Sequence, residues 1–190
     1  MGFVERTWGG VQLHREVDDP FQEALARRGA GKQRIGGAAA ALIPDGATVI
    51  LDIGTTAHYV ALAMEAKNVT VLTASLPTFE HLRAARKADI ILLGGRWSED
   101  YQCFTGVQVR DALARQQADL AFIGCSGVAD SGRVRDNSYS QTDVKRAIRA
   151  ASTTAYLLAD ADKFPGMGGN SPFDVDAVDG IITDADHLAP

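Results

Sequence analysis

Asp52-Ile53-Gly54-Thr55-Thr56 places a carboxylate, a glycine and two hydroxyls directly after Thr48-Val49-Ile50-Leu51. That run of four apolar or β-branched residues has the pattern of a strand buried on both faces, as in a parallel sheet. Gly54 permits a tight turn, and Thr55 or Thr56 can cap a helix over Ala57–Ala66. Strand, turn and helix start together make an anion site, because unpaired backbone N–H groups and the positive end of the helix dipole converge there. The plain alternative is a cap joining two core elements.

Similar chemistry recurs downstream. Strands are expected over Thr48–Leu51, Val69–Leu72, Ile90–Leu93, Leu120–Ile123, Thr154–Leu158 and Gly180–Thr183. Helices are expected between them over Ala57–Ala66, Leu76–Arg86, Val107–Gln116 and Gln141–Ala151, after an Ala-rich helix over Lys32–Ile43. This alternation predicts an α/β fold, a doubly wound and mainly parallel sheet with helices on both faces. Ligands of such sheets bind beyond the carboxyl ends of the strands. After the second strand come Thr73 and Ser75, with Ser75 as a cap before Pro77; after the third come Gly94 and Gly95, then Gly106 opening a helix. Gly124-Cys125-Ser126-Gly127 follows the fourth, and Asp160-Ala161-Asp162-Lys163-Phe164 the fifth. Each is explicable as turn chemistry alone. Five such termini on one rim point to a site for a polar small molecule.

Within that rim, Lys163 can neutralise a phosphate or carboxylate, or form a local ion pair with Asp160 or Asp162. Gln141 and Lys145, four apart, share a helix face that is either ligand-facing or solvated. Asp52 would repel a phosphate, so its expected partners are a ligand hydroxyl or the N–H groups of its own turn. Cys125 has no histidine placed to activate it and reads as a small buried residue. Arg133 and Arg135 lie in a Gly/Asp/Asn-rich loop over 129–138, either a lid carrying positive charge to an anion or a solvated surface loop, and Phe164–Phe173 is a second mobile candidate. His58 faces either the ligand or the helix surface.

Length and charge bound the reading. The 190 residues suit one α/β domain with a real core, and the net charge of −5 without any Lys/Arg run argues against nucleic-acid binding by this chain itself. Two cysteines give neither a disulfide framework nor a metal pattern, and His14, His58, His81 and His187 never pair at ligand spacing, so no metal and no cofactor is expected. No signal peptide or membrane span is legible, and a reducing cytoplasm fits best.

The ordered set Leu51–Thr56, Val71–Pro77, Leu92–Gly95, Ala121–Gly124, Val144–Ile148, Leu158–Phe164 and Ile181–Asp184 resembles the effector-sensing domain of DeoR-type bacterial transcription regulators. The resemblance runs in order across nearly all of Lys32 to Asp186. It implies a fold similar to ribose-5-phosphate isomerase and CoA transferases, and a homo-oligomer that senses a small phosphorylated sugar or related metabolite. It implies that the Asp52–Thr56 loop, with Asp52, Gly54, Thr55 and Thr56, holds the ligand's phosphate or polar end beside Thr73, Ser75, Gly94, Gly95 and Gly106; Ser126, Gln141, Lys145 and Lys163 are added as expected contacts from their own positions on the rim and on the helix. Ala74, Ser126 and Gln141 depart from the Asn, Asp and Glu that the family often has there. An isomerase of the same fold is the alternative, and would need Asp52, Asp130 or Asp160 as its base.

Residues Val4–Leu13 read as one strand of a hairpin broken by Gly9-Gly10, lacking its partner; a frayed arm is the alternative. By the resemblance Arg6–Val11 looks like the last strand of a winged helix mostly missing from this chain. That divides the chain into a remnant at 1–13 and a sensing domain at 14–190, with DNA reached only through the missing module. A polar lead-in helix, Val17–Arg28, is expected to start at Asp18-Asp19-Pro20, with Gly29-Ala30-Gly31 separating it from the next.

Overall fold

Period-two burial organises the molecule. In the computed structural model, which describes residues 4–7, 10–13 and 20–185, Val49 and Leu51 pack to one side of a sheet and Ile50 to the other. Leu120 and Phe122 likewise oppose Ala121 and Ile123. Apolar residues on both faces require helices on both faces, and that is the arrangement found.

Six strands form the sheet: β3 (Thr48–Leu51), β4 (Val69–Thr73), β5 (Ala88–Leu92), β8 (Ala118–Gly124), β11 (Ser152–Leu158) and β12 (Gly180–Ile182). Their order is β12-β11-β8-β3-β4-β5, and every pairing is parallel. Helices α2 (Gly29–Ala40), α3 (Thr55–Ala63) and α4 (Leu76–Ala85) contribute Ile35, Val60 and Leu82 to the core on one face. Helices α5 (Val107–Leu113) and α6 (Tyr139–Ala150) contribute Val109, Leu113, Val144 and Ile148 to the other. The predicted doubly wound α/β fold is therefore the fold observed, with a wholly parallel six-stranded sheet.

The differences from expectation are local. Residues 4–13 are not one strand: β1 (Val4–Thr7) and β2 (Gly10–Leu13) pair antiparallel with each other, so the hairpin carries its own partner. The expected cap Asp18-Asp19 and the residues Val17, His14 and His187 lie outside the described residues. Helix α1 covers only Phe21–Ala26, with Pro20 at its N-cap, and Gly29-Ala30-Gly31 opens α2 instead of interrupting a helix. The junction turns at Arg28, a non-glycine residue in the left-handed region at φ 54°.

Two small ribbons were not foreseen. Hairpin β6–β7 (Arg96–Ser98, Cys103–Thr105) rises from the end of β5. A short ribbon, β9–β10 (Gly127–Val128, Val134–Arg135), follows β8. The loops expected to be mobile are pinned to each other, because Arg133 pairs with Asp174 and Asp136 with Asn170 as isolated β-bridges.

The closest helix crossing is α2 against α3. A Cβ on Gly36 would stand 2.6 Å from the Tyr59 carbonyl carbon, whereas one on Gly37 would meet nothing within 4 Å. Gly36→Ala is therefore expected to destabilise by about 1–3 kcal/mol despite its better helix propensity, and Gly37→Ala to stabilise by up to about 1 kcal/mol. Thermal melts of the two variants check this; equal effects would refute the close crossing.

Candidate functional site

Strand β3 continues to β4 and β5 on one side, while β8, β11 and β12 fill the other, so the winding reverses between β3 and β8. A cavity of about 440 Å³ opens beyond the carboxyl ends of these strands, where an open α/β sheet offers its crevice.

A buried lysine organises its floor. On α6, Gln141, Val144, Lys145 and Ile148 recur at helical spacing and are all buried, so Gln141 and Lys145 face inward together. The Lys145 ammonium donates to Asp52 Oδ2 and, at 2.9 Å, to the Gly124 carbonyl; Asp136 Oδ2 lies 3.5 Å away. Burial alone would lower its pKa, but the Asp52 and Asp136 carboxylates outweigh that and hold it above the ordinary lysine value. Asp52 Oδ2 also accepts from the Gly124 N–H at 3.0 Å. It thus joins the ends of β3 and β8, and does not hold the N–H groups of its own turn. Asp52 Oδ1 and Gln141 Oε1 are buried acceptors without a hydrogen-bond partner among the described residues.

One wall is the start of α3. Gly54, not Thr55 or Thr56, is the N-cap, and no side chain caps the helix. Thr55 and Thr56 are its first two residues, and with Gly54 they line the cavity. Their amides precede the first intrahelical bond, which runs from the His58 N–H to the Gly54 carbonyl at 3.0 Å. Opposite, Asp160 caps a 3₁₀ turn over Ala161–Lys163 by accepting from the Asp162 N–H at 3.1 Å. Lys163 lines the cavity and has no ion-pair partner among the described residues. Ser126 lines it too, its Oγ accepting from the Asn137 N–H at 3.2 Å.

The remaining wall comes from α1 and its junction with α2. Phe21, Ala24, Arg27, Arg28 and Lys32 all line the cavity. Arg28 reaches across to Asp162 at 2.6 Å and Asp160 at 4.0 Å. Sequence reading assigned this stretch only a polar lead-in; the paired arginines before a Gly-x-Gly were the available signal. Asp136, Asn137 and Tyr101 were missed as well; the first two lie in the loop over 129–138 that its Gly/Asp/Asn content had marked, and Tyr101 arrives from the β6–β7 turn.

Several expected site residues do not line the cavity. Thr73 and Ser75 end β4, beyond the reversal, and are sealed beneath β6–β7: Ser75 bridges to Cys103 and its Oγ caps α4 through the Thr78 N–H. Gly95 lies against the Thr105 carbonyl, Gly106 turns at φ 100° to start α5, and Gly94 leads into β6. Those three glycines shape the hairpin instead. Asp52 sits just behind the cavity surface, beneath Lys145. His58 neither faces the cavity nor lies on the helix surface. Its Nδ1 is 3.1 Å from Thr78 Oγ1, and its ring meets Phe21 edge-on at 5.8 Å.

Neither cysteine is set up as a nucleophile. Cys125 lines the cavity, but burial pushes its thiol up to about 12, and Cys103 is raised to about 12 for the same reason. Of the candidate bases for an isomerase, Asp52 is engaged by Lys145, Asp160 by its turn, and Asp130 is exposed away from the cavity. Among the described residues no cluster of His, Cys, Asp or Glu is placed to hold a metal ion, and no helix is long and apolar enough to cross a membrane.

A parallel sheet with this crevice has the architecture of the ribose-5-phosphate isomerase fold. The isomerase of Plasmodium falciparum superposes with a TM-score of 0.50 at 14% identity, over 70% of this chain and 51% of that chain. Residues 27–185 match the DeoR C terminal sensor domain, and the chain belongs to that family. It is 28% identical over 192 residues to the L-fucose operon activator of Escherichia coli, covering 99% of this chain and 79% of the relative. It is 30% identical over 184 residues to the glycerol-3-phosphate regulon repressor of the same organism, covering 96% and 73%. Its place is among transcription regulators, not enzymes.

Two outcomes test the electrostatics. Lys145→Met would strand Asp52 and Asp136 and is expected to destabilise by about 3–5 kcal/mol, with Asp52→Asn added to it recovering part of the loss; denaturant melts of both variants measure this, and a single variant as stable as wild type would refute it. Burial, then the neighbouring His81, lowers the His58 pKa from 6.5 to about 4. Between those values the unfolded chain binds a proton that the folded protein refuses, so His58 removes stability as pH falls through that window and has no effect above it. The melting temperature should therefore fall more steeply from about pH 7 to about pH 4.5 in wild type than in His58→Gln. His81 is also held down by burial in the parent, so the difference between the two slopes is the quantity to read; identical slopes would refute the assignment.

Proposed function

We propose that the cavity binds a small phosphorylated sugar or a related anionic metabolite, and that occupancy alters DNA binding by a winged helix attached to this domain. The observation that carries the reading is the uncapped start of α3 at Thr55 and Thr56, facing a wall that holds Lys163, Arg27 and Arg28. Free amides and the helix dipole favour a dianion, and guanidinium groups recognise phosphate with two parallel hydrogen bonds. Deeper in, the buried acceptors Asp52 Oδ1 and Gln141 Oε1 suit the hydroxyls of a polyol. One relative is named for glycerol 3-phosphate, a phosphorylated polyol of this kind.

In this reading Gly54, Thr55, Thr56, Ser126, Gln141, Lys145 and Lys163 contact the ligand or carry those that do, and Asp52 orders them. The hairpin at 4–13 is the distal piece of the winged helix, and 14–190 is the sensing domain. The protein works in the cytoplasm as a homo-oligomer, and the ligand shifts the population of domain arrangements that differ in DNA affinity.

A thermal-shift and calorimetric screen of glycerol 3-phosphate, pentose phosphates and hexose phosphates against their dephosphorylated counterparts tests this. A true ligand at a hundred times its Kd adds about 2.7 kcal/mol. Lys163→Ala is expected to weaken its binding about tenfold or more. Equal responses to the dephosphorylated sugars, or none to any phosphate, would overturn the proposal.

A further inference from the structure

The wall formed by α1 belongs to the segment that joins hairpin β1–β2 to the sheet domain, and several ties among the described residues hold it there. The Phe21 amide donates to the Asp100 carbonyl at 2.9 Å, and the Phe21 ring meets His58. Lys32 donates to the Ala24 carbonyl, and the Tyr59 hydroxyl reaches the Leu25 carbonyl at 3.5 Å. The tie that spans the cavity is Arg28, from the end of α1 to Asp162 and Asp160 beyond β11. Its two acceptors differ. Asp160 is buried and already caps its turn, whereas the Asp162 side chain is 69% exposed. An ion pair to so exposed a carboxylate is weak and easily exchanged.

Resting on the anion-binding reading above, we propose that Arg28 is an exchangeable latch: a phosphate in the cavity takes the guanidinium from Asp162 and draws α1 inward over the ligand. A phosphate accepts two parallel guanidinium bonds inside a partly water-excluded site, where they outweigh a solvated carboxylate. Asp162 is then a competitor of the ligand for Arg28, and α1 is the element that reports occupancy toward β1–β2. The left-handed backbone at Arg28 places this side chain at the helix junction, so that its swing turns α1 against α2.

The test is a double-mutant cycle with the 190-residue chain and inorganic phosphate as the probe. Arg28→Asn is expected to weaken phosphate binding about tenfold or more, and Arg28→Lys to restore part of it. Asn also suits the left-handed backbone, so folding is retained. Asp162→Asn is expected to tighten binding several-fold in wild type and to do so far less in the Arg28→Asn background. Phosphate should slow hydrogen exchange in a peptide spanning residues 20–28 in wild type, and leave it unchanged in Arg28→Asn. If Asp162→Asn tightens binding equally in both backgrounds, the two act independently and the latch is overturned. The same holds if α1 exchange ignores phosphate that binds. Failure of phosphate to bind wild type at all would overturn the latch and the anion-binding reading together. Phosphate binding that is indifferent to Arg28 would overturn the latch alone.

Discussion

The ammonium of Lys145, enclosed by Asp52, Asp136 and the Gly124 carbonyl, is the constraint on which the site depends. Through it α6, the ends of β3 and β8, and the loop after β10 share one point. Buried ion pairs rarely stabilise a fold more than apolar residues of the same volume would. What this one supplies is position. Strands β3 and β8 pair as far as Leu51 and Phe122, and the Asp52 N–H still donates to the Phe122 carbonyl at 3.1 Å. The Asp52 carboxylate, accepting from the Gly124 N–H and from Lys145, carries that tie one step further, to the mouth of the crevice.

The reversal also decides which loops contribute. The rim rule, applied to the sequence, gathers the loops after all five strands onto one edge, and the structure does put them there. Those directly after β3, β8 and β11 meet in the cavity, because those three strands are neighbours, and the β6–β7 turn adds Tyr101. The loops after β4 and β5 lie outward and are covered by β6–β7, with the Phe104 N–H bonded to the Ala74 carbonyl and the Leu76 N–H to that of Gln102. Strand existence was legible from short apolar runs, and Thr48–Leu51 from its β-branched residues alone. Strand order was not, since it depends on pairings between residues far apart in the chain.

The same distinction separates the readable site residues from the rest. Gln141 and Lys145 declare a shared face by their spacing of four, and the structure turns that face inward. Lys163 follows a strand directly. Arg27, Arg28 and Asp136 carry no such local mark; they reach the cavity because α1 folds back over α3 and because Asp136 pairs with Asn170. The loop at 129–138 looked mobile from its Gly, Asp and Asn content and that at 164–173 from its glycines and Pro172, yet each supplies the other's hydrogen-bond partners.

Helix starts show where local rules yield to the site. Serine caps α4 through Ser75 and α6 through Ser138, each accepting an amide three residues on. Threonines were equally available at α3, but the chain begins that helix one residue earlier, at Gly54, and leaves the first amides without a side-chain acceptor. A hydroxyl cap there would have satisfied the donors that a bound anion needs. Charge placement agrees with that geometry. The chain as a whole carries −5, yet Arg27, Arg28, Lys32, Lys145 and Lys163 surround the cavity against Asp136, Asp160 and Asp162, with Asp52 behind. Five cations against four carboxylates make this crevice locally positive on an acidic protein. An approaching anion therefore meets the uncapped amides of α3 in a crevice lined by an excess of cations.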